Sequence, residues 1–360
     1  MLVHMGQRQA VDTWARPAWI ANDEGALAGQ HIEGNAQQDA ALMQVLRYVG
    51  RDGYRFTTPT PATHQRVLAR HGMQPGSSLQ DIYGWNRPFR PDSLKPDLLD
   101  AMQRAQALAT VPCLGSAQMM VRSRVRIASL NDDLYLHSAY PTTQDSAVFF
   151  GPDSYRFARL IRQAILANPQ TPQRVLDVGC GSGVGGLLVS RLVTARSLFQ
   201  QTPEVTLNDI NPQALRYARI NAAVAGIDAV LAPGDALAAV DGEFDLIVCN
   251  PPYLDDASQR TYRHGGARLG RALSVRIAQE ALDRLAPGGQ LLMYTGVAIE
   301  NGVDALRTEL LGVLESAGCD WSYEELDPDV FGEELARPVY ANTDRIAAVG
   351  LVARRAGAAS

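Results

Sequence analysis

Residues 245–253 read Asp-Leu-Ile-Val-Cys-Asn-Pro-Pro-Tyr, a short apolar run that ends in Asn250, Pro251, Pro252 and Tyr253. An NH2 nitrogen conjugated to a carbonyl or an aromatic ring has a delocalised lone pair, so it must be held still before it can act as a nucleophile. The Asn250 side-chain oxygen and the Pro251 carbonyl can each accept one N–H, because proline keeps its acceptor while lacking a donor. Two acceptors fix the nitrogen. Tyr253 adds a flat face against which an aromatic base or the plane of an amide can lie. By itself Asn-Pro-Pro is also a rigid turn after a strand. The residues upstream favour the chemical reading and make these four the candidate catalytic residues.

Upstream, Val175–Val178 reads as an apolar strand that runs into Gly179-Cys180-Gly181-Ser182-Gly183 and then a helical stretch over Gly185–Thr194. Glycines let the backbone approach a ligand closely, and the helix start offers free N–H groups and a positive dipole end. The spacing of Gly179, Gly181 and Gly183 departs from the dinucleotide fingerprint, which Gly186 only partly restores. The order of the downstream elements is more specific. A second strand, Glu204–Asp209, ends in an acid followed by Ile210, where a doubly wound sheet presents a carboxylate to ribose hydroxyls. Asn211-Pro212 begins a helix through about Ala225. A third strand, Ala229–Ala232, stops at Gly234-Asp235-Ala236, and a fourth, Phe244–Cys249, delivers Asn250. Acids at strand ends are common for solubility alone. Asp177, Asp209 and Asp235 in series with the glycines and Asn250 make a nucleotide-like site.

This series resembles the class I S-adenosylmethionine-dependent methyltransferases over roughly Val148 to Arg354. Within that class it is most similar to the release-factor glutamine methyltransferases and the small-domain methyltransferases that act on ribosomal RNA. The resemblance continues through His264-Gly265-Gly266, Gly270, a helix Arg271–Leu285, Ala286-Pro-Gly-Gly289 and a strand Gln290–Tyr294. It implies S-adenosylmethionine as cofactor and methyl transfer to a planar NH2 nitrogen, either the exocyclic amine of a nucleic-acid base or a protein glutamine amide. A small-molecule N-methyltransferase is the alternative. The implied cofactor-binding residues are Asp177, Gly179, Cys180, Gly181, Gly183, Asp209, Ile210, Asp235, Ala236 and Asn250, with Asp235 facing the adenine amino group. The release-factor enzymes usually carry an acid-Pro pair a few residues beyond the Tyr. This chain has Leu254-Asp255-Asp256 and then Arg260, Arg263 and His264. An aromatic-Gly-Pro turn in related enzymes closes over the cofactor, which points to Phe150 and Asp153, although Asp153 is also placed to cap the helix after it.

Composition fits a soluble enzyme: 360 residues suggest about two domains, and 46% apolar with 20% charged residues is globular. Cys113, Cys180, Cys249 and Cys319 are scattered singly, with neither a disulfide framework nor metal-ligand spacing. Cys180 and Cys249 read as small packing residues. No run approaches 18 apolar residues and no signal-peptide core opens the chain, so no membrane partner and a cytoplasmic location are expected. The formal charge of −5 is uneven: residues 1–150 carry 14 basic and 13 acidic side chains (net +1), and 151–360 carry 19 and 25 (net −6). Ser258–Gln279 holds Arg260, Arg263, Arg268, Arg271 and Arg276 with no acid. This predicts either a basic lid at the substrate mouth, favouring phosphate, or a solvated helix face. Arg122, Arg124 and Arg126 alternate, which places all three on one face of a strand. The partner is then nucleic acid, RNA rather than DNA, or a protein, with a small molecule as third choice. The oligomeric state is not encoded in any pattern found.

These features divide the chain into three segments: a loosely ordered extension over 1–36, a substrate-recognition domain over 37–145 and a catalytic domain over 146–360. Helical patterns at about Asp39–Val49, Ala62–His71 and Leu94–Leu108 precede strands at about Gln118–Ile127 and Leu134–Ser138, joined at Asn131-Asp132-Asp133. Tyr83, Trp85 and Phe89 read as core, and His64 and His71 as ordinary helix residues. A helix through about Ala167, a helix over about Glu300–Ala317 and strands near Asp320–Glu325 and Arg345–Arg354 complete the plan. The acidic segment Glu324–Glu334 reads as a surface loop or as a counter-wall to the basic lid. The fold class expected is α/β, a doubly wound seven-stranded Rossmann-like sheet with a reversed last strand. A smaller N-terminal α+β domain of helices plus a hairpin, winged-helix-like, precedes it.

Overall fold

The structure, a computed structural model, describes residues 35–72, 74–111, 119–196 and 202–357. The proposed extension over 1–36 therefore lies almost wholly outside the described residues, as do Cys113 and Gln118. The N-terminal part opens with helix α1 (Ala36–Arg51), where Asn35 and Gln38 cap each other's backbone and Ala41, Leu42, Val45, Leu46 and Val49 form one buried stripe. Helix α2 (Pro61–His71) is capped by Thr60, and α3 is Pro96–Arg104. The helical pattern expected to reach Leu108 stops earlier, since Gln106 takes a positive φ and strand β1 (Leu108–Val111) begins. Strand β2 (Met120–Ser123) pairs with β1, and β3 (Val125–Leu130) forms a hairpin with β4 (Asp133–Ser138).

One expectation fails here. Arg122, Arg124 and Arg126 do not share a single strand, because the Ser123 hydroxyl bonds both the N–H and the carbonyl of Val125 and breaks the run at Arg124. Arg122 and Arg126 are 1% and 5% exposed, and the Arg126 Nε donates to the Gly84 carbonyl at 3.0 Å. They face the interior. Tyr83 and Phe89 are buried in the core, as expected; His64 is buried too, and burial pushes its pKa down to about 2.

The remaining chain alternates helix and strand: α4 (Pro152–Ala167), β5 (Arg174–Val178), α5 (Val184–Arg196), β6 (Glu204–Asp209), α6 (Pro212–Ala225), β7 (Ala229–Pro233) and β8 (Phe244–Cys249). Then come α7 (Ala272–Asp283), β9 (Leu285–Glu300), β10 (Val303–Asp304), α8 (Ala305–Ser316), β11 (Cys319–Asp327) and β12 (Arg345–Arg355). The sheet order is β11-β12-β9-β8-β5-β6-β7, with β10 paired to the end of β9. Only β12 and the short β10 run antiparallel to β9, so the doubly wound sheet with its reversed last strand is as expected. Helices cover both faces: α4 and α5 pack on one, α7 and α8 on the other.

Strand β9 is longer than expected, and the helix foreseen from Glu300 starts only at Ala305, capped by Asp304. The cause is Asn301-Gly302, both at positive φ, which forms a two-residue hairpin turn pairing Glu300 with Val303. Among the described residues no helix is long and apolar enough to cross a membrane.

Topology fixes where a ligand can sit. The chain enters the sheet at β5, winds outward to β6 and β7, and returns to the other side of β5 as β8. The order reverses between β5 and β8, and the crevice beyond their carboxyl ends is where open α/β sheets bind ligands. The glycine turn follows β5 and Asn250 follows β8.

Candidate active site

A cavity of about 400 Å³ opens in that crevice. Of the predicted catalytic and cofactor-binding residues all but Gly183 line it, with Asn250, Pro251, Pro252 and Tyr253 on the same cavity as Gly179, Gly181, Asp209 and Asp235; Phe150 does not line it. Gly183 sits just behind, its φ of +86° completing a turn in which Gly179 and Gly181 are also left-handed.

The three acids play distinct structural parts. Asp177 is 1% exposed at the end of β5 and accepts the Gly186 N–H at 2.8 Å, tying the start of α5 to the strand. Burial outweighs that bond and pushes its carboxyl up to about 7. Asp209, at the end of β6, accepts from the N–H groups of Gly181 and Asn211, each at 2.9 Å, and burial raises its pKa. Asp235 lies at the rim. Arg276 of α7 bonds both its oxygens, at 2.7 and 3.0 Å, and holds its pKa below the usual range. Ile210 lines the cavity yet is 59% exposed, leaving a free apolar surface beside Asp209.

Asn208 is a residue that sequence reasoning missed. Its amide donates to the carbonyls of Ala232 and Gly234, fixing the turn that carries Asp235, while its buried oxygen has no hydrogen-bond partner among the described residues. The only signal in the sequence was a polar residue inside a buried strand.

Asn250 is half-buried. Among the described residues neither its carboxamide nor the Pro251 carbonyl takes part in a hydrogen bond. Two adjacent acceptors thus line the cavity unspent. The backbone that carries them is braced from behind. Leu254 N–H donates to the Arg263 carbonyl at 3.1 Å, and Gly265 N–H to the Leu254 carbonyl at 2.9 Å. A Cβ at Gly265 or at Gly270 (φ +85°) would overlap the backbone of Tyr253, so the glycines after the tetrapeptide are demanded by close approach.

Tyr253 is 7% exposed, with its ring against Gly296, where a Cβ would overlap it. Its hydroxyl donates to one Asp153 oxygen at 2.7 Å, and the Tyr294 hydroxyl donates to the other at 2.7 Å. Arg156 approaches Asp153 at 3.1 Å and reaches on to Asp327 at 2.7 Å. Asp153 therefore does not cap α4, whose N-cap is Gly151. It clamps the tetrapeptide. Burial raises the Asp153 pKa, and the tyrosine and arginine bonds act against that rise. Phe150, assigned with Asp153 to close the cavity, is 1% exposed in the core against Tyr135 and His137. Its neighbour Phe149 lines the cavity instead and stacks on Tyr262 with centroids 6.1 Å apart.

The basic lid is corrected. Arg260 pairs with Asp256 at 2.6 Å, Arg263 with Glu334, Arg268 and Arg271 with Glu309, and Arg276 with Asp235. The segment carries no acid of its own, so the carboxylates that pair with its arginines come from outside it, Glu309 serving two of them. Glu334 makes the acidic segment a counter-wall to that loop. Cys180 and Cys249 are buried, and burial pushes both thiols up, as suits packing residues.

Residues 156–301 match the family described as Methyltransferase small domain. The chain is 38% identical over 171 residues to a Deinococcus radiodurans protein named release factor glutamine methyltransferase, covering 45% of this chain and 55% of that protein. It is 31% identical over 118 residues to a Serratia proteamaculans protein named ribosomal RNA small subunit methyltransferase C, covering 33% of this chain and 29% of that protein. In both cases the chain spans less than two thirds of the relative's length. The crystal structure of a ribosomal protein L11 methylase from Lactobacillus delbrueckii subsp. bulgaricus is 21% identical, covering 58% of this chain and 81% of that one with a TM-score of 0.37.

Proposed function

We propose that the chain is an S-adenosylmethionine-dependent N-methyltransferase that methylates a planar NH2 nitrogen. The observation that carries this is the pair of unspent acceptors, the Asn250 carboxamide and the Pro251 carbonyl, lining the same cavity as the glycine turn and Asp209. The match of residues 156–301 to a methyltransferase family and the names of the relatives support it.

The residues present fit the cofactor. The left-handed glycine turn leaves room for close approach, since a Cβ at Gly179 or Gly181 would meet nothing within 4 Å. The Asp209 carboxylate is placed for ribose hydroxyls, and the exposed Ile210 offers a flat apolar contact for a base. The buried, unpartnered Asn208 oxygen is a further acceptor at this end. When bound, S-adenosylmethionine supplies a methyl group already activated on a sulfonium sulfur.

The protein's task is alignment and exclusion of water. Well-oriented reactants gain on the order of 7–11 kcal/mol from positioning alone. Asn250 and Pro251 each accept one N–H of the acceptor nitrogen and hold its lone pair in line. As that nitrogen becomes tetrahedral its N–H groups grow more acidic, so both acceptors grip the transition state more firmly than the ground state. No strong base has to act beforehand. Phe149, Tyr262 and Phe331 line the cavity with aromatic surface.

For the acceptor, the ion pairs favour one reading over the others. With each arginine of 258–279 engaged by a carboxylate, Arg268 and Arg271 sharing Glu309, and with Arg122 and Arg126 buried, the described residues leave little free cationic surface for a phosphate backbone. A protein carboxamide of the glutamine type is the acceptor the site fits best, and the name of the Deinococcus relative agrees. Incubation with methyl-labelled S-adenosylmethionine and fractionated lysate tests this. Label in protein, stable to ribonuclease, is the expected result; label in RNA or in the low-molecular-weight pool would replace the acceptor, and no label in any pool would remove the activity.

A further inference from the structure

Helix α6 begins a few residues after Asp209 and carries Asn221 in its interior, where an amide side chain competes with helical backbone bonding and is a poor choice on propensity. Asn221 is 1% exposed, and both ends of its amide are hydrogen-bonded. Its oxygen accepts the Leu136 N–H at 2.9 Å, and its amide nitrogen donates to the Leu136 carbonyl at 3.2 Å and to the Ser182 carbonyl at 2.9 Å. The orientation is unambiguous, because a flipped amide would set NH2 against N–H and oxygen against two carbonyls.

The side chain thus acts as a one-residue strand along the free edge of β4. It binds both backbone groups of Leu136 as a neighbouring strand would, and with its second N–H it holds the glycine turn. Leu136 does not line the cavity, whereas Ser182 does. The same helix is fastened to the N-terminal part elsewhere. Arg216 bonds Asp39 of α1 at 2.7 Å, and Arg219 pairs with the same carboxylate. Ala214, Tyr217 and Ile220 share one core with Leu42, Leu46 and Leu136.

We infer that Asn221 is a positioning residue that couples the glycine turn to the N-terminal hairpin, so that occupancy of the cofactor cavity is felt at β4. The inference rests on the reading that this cavity takes S-adenosylmethionine. A turn ordered by ligand holds the Ser182 carbonyl in place and steadies the amide bonded to it. That amide in turn protects Leu136. By reciprocity, whatever steadies the hairpin tightens cofactor binding.

The test uses the full chain and S-adenosylhomocysteine as probe. In the parent, hydrogen exchange of the Leu136 amide should slow by about tenfold when S-adenosylhomocysteine is added, together with the amides of residues 179–186. Asn221→Ala should abolish the hairpin response and weaken S-adenosylhomocysteine binding in calorimetry by about tenfold. Asp39→Asn, which loosens α6 from α1 without touching Asn221, should retain both. The parent measurement stands whether or not Asn221→Ala folds. Slowing confined to cavity-lining segments in the parent, or an Asn221→Ala protein that keeps the hairpin response, overturns the coupling while leaving the cofactor reading intact. A parent that fails to bind S-adenosylhomocysteine overturns both.

Discussion

Replacing Asp153 by alanine removes the acceptor for two buried tyrosine hydroxyls at once, each donating at 2.7 Å. Hydrogen bonds to a charged group contribute roughly 1.5–3 kcal/mol each, so the two together set an upper bound of about 3–6 kcal/mol. Part of that is offset, because burying the carboxylate is itself unfavourable, as the raised pKa of Asp153 records. The net loss expected for Asp153→Ala is about 2–4 kcal/mol. Tyr253→Phe, which deletes a single donor, should lose about 1–2 kcal/mol. The catalytic consequence is larger, because the freed Tyr253 is continuous with Pro251 and Asn250, and a misplacement of about 1 Å can cost roughly a hundredfold in rate. Urea unfolding, calorimetry with S-adenosylhomocysteine and labelled methyl transfer separate these effects. Lower stability, a slower transfer step and cofactor affinity within about threefold of the parent are expected. In the double variant Asp153→Ala/Tyr253→Phe the losses should fall short of additive, since both changes break one bond. Parental rate and stability in Asp153→Ala would refute the clamp, and a loss confined to cofactor affinity would make Asp153 a cofactor contact instead.

Asp209→Ala should weaken S-adenosylhomocysteine binding by about 10- to 100-fold, a loss of about 1.4–2.8 kcal/mol, and calorimetry that finds parental affinity would remove Asp209 from the cofactor site. Gly270→Ala forces a side chain into a left-handed position against the Tyr253 backbone, so stability should fall by about 1–3 kcal/mol and transfer should slow, with urea midpoints and labelled transfer as the measurements; a variant indistinguishable from the parent contradicts the bracing role. Asp177 has a folded pKa raised to about 7 against roughly 3.9 in an unfolded chain, so its contribution is fully present below about pH 4 and is lost as pH rises through about 7. The stability of the parent relative to Asp177→Asn should therefore fall between about pH 4 and 7 in urea titrations, and a difference that stays constant over that range would exclude the shift.

The sheet and its ligand crevice were legible in the sequence because each parallel strand is an apolar run closed by a glycine, an acid or an Asn-Pro, and buried parallel strands leave little else to read. The cavity residues were legible for the same reason: they stand at strand ends, in series. What was hidden is contact between distant segments. Nothing near Ser258–Gln279 reveals that Glu309, Glu334 and Asp235 come back to pair with its arginines. Period two placed three arginines on one face of a strand, and a break at Arg124 fixed by the Ser123 hydroxyl defeated it. Asp153 stands where helix caps stand, and only the fold brings Tyr253 and Tyr294 to it from 100 and 141 residues away. The extra length of β9 was legible in principle, since Asn301-Gly302 is a strong hairpin signal.

The most direct measurement is single-turnover methyl transfer by purified Asn250→Ala protein, with label supplied from S-adenosylmethionine and the lysate fraction that the parent labels used as acceptor. A rate reduced by about 10²–10³, as when one preorganised polar group is removed from a reacting centre, is expected together with S-adenosylhomocysteine affinity within about threefold of the parent. Transfer at the parental rate would contradict the claim that the Asn250 carboxamide holds the attacking nitrogen.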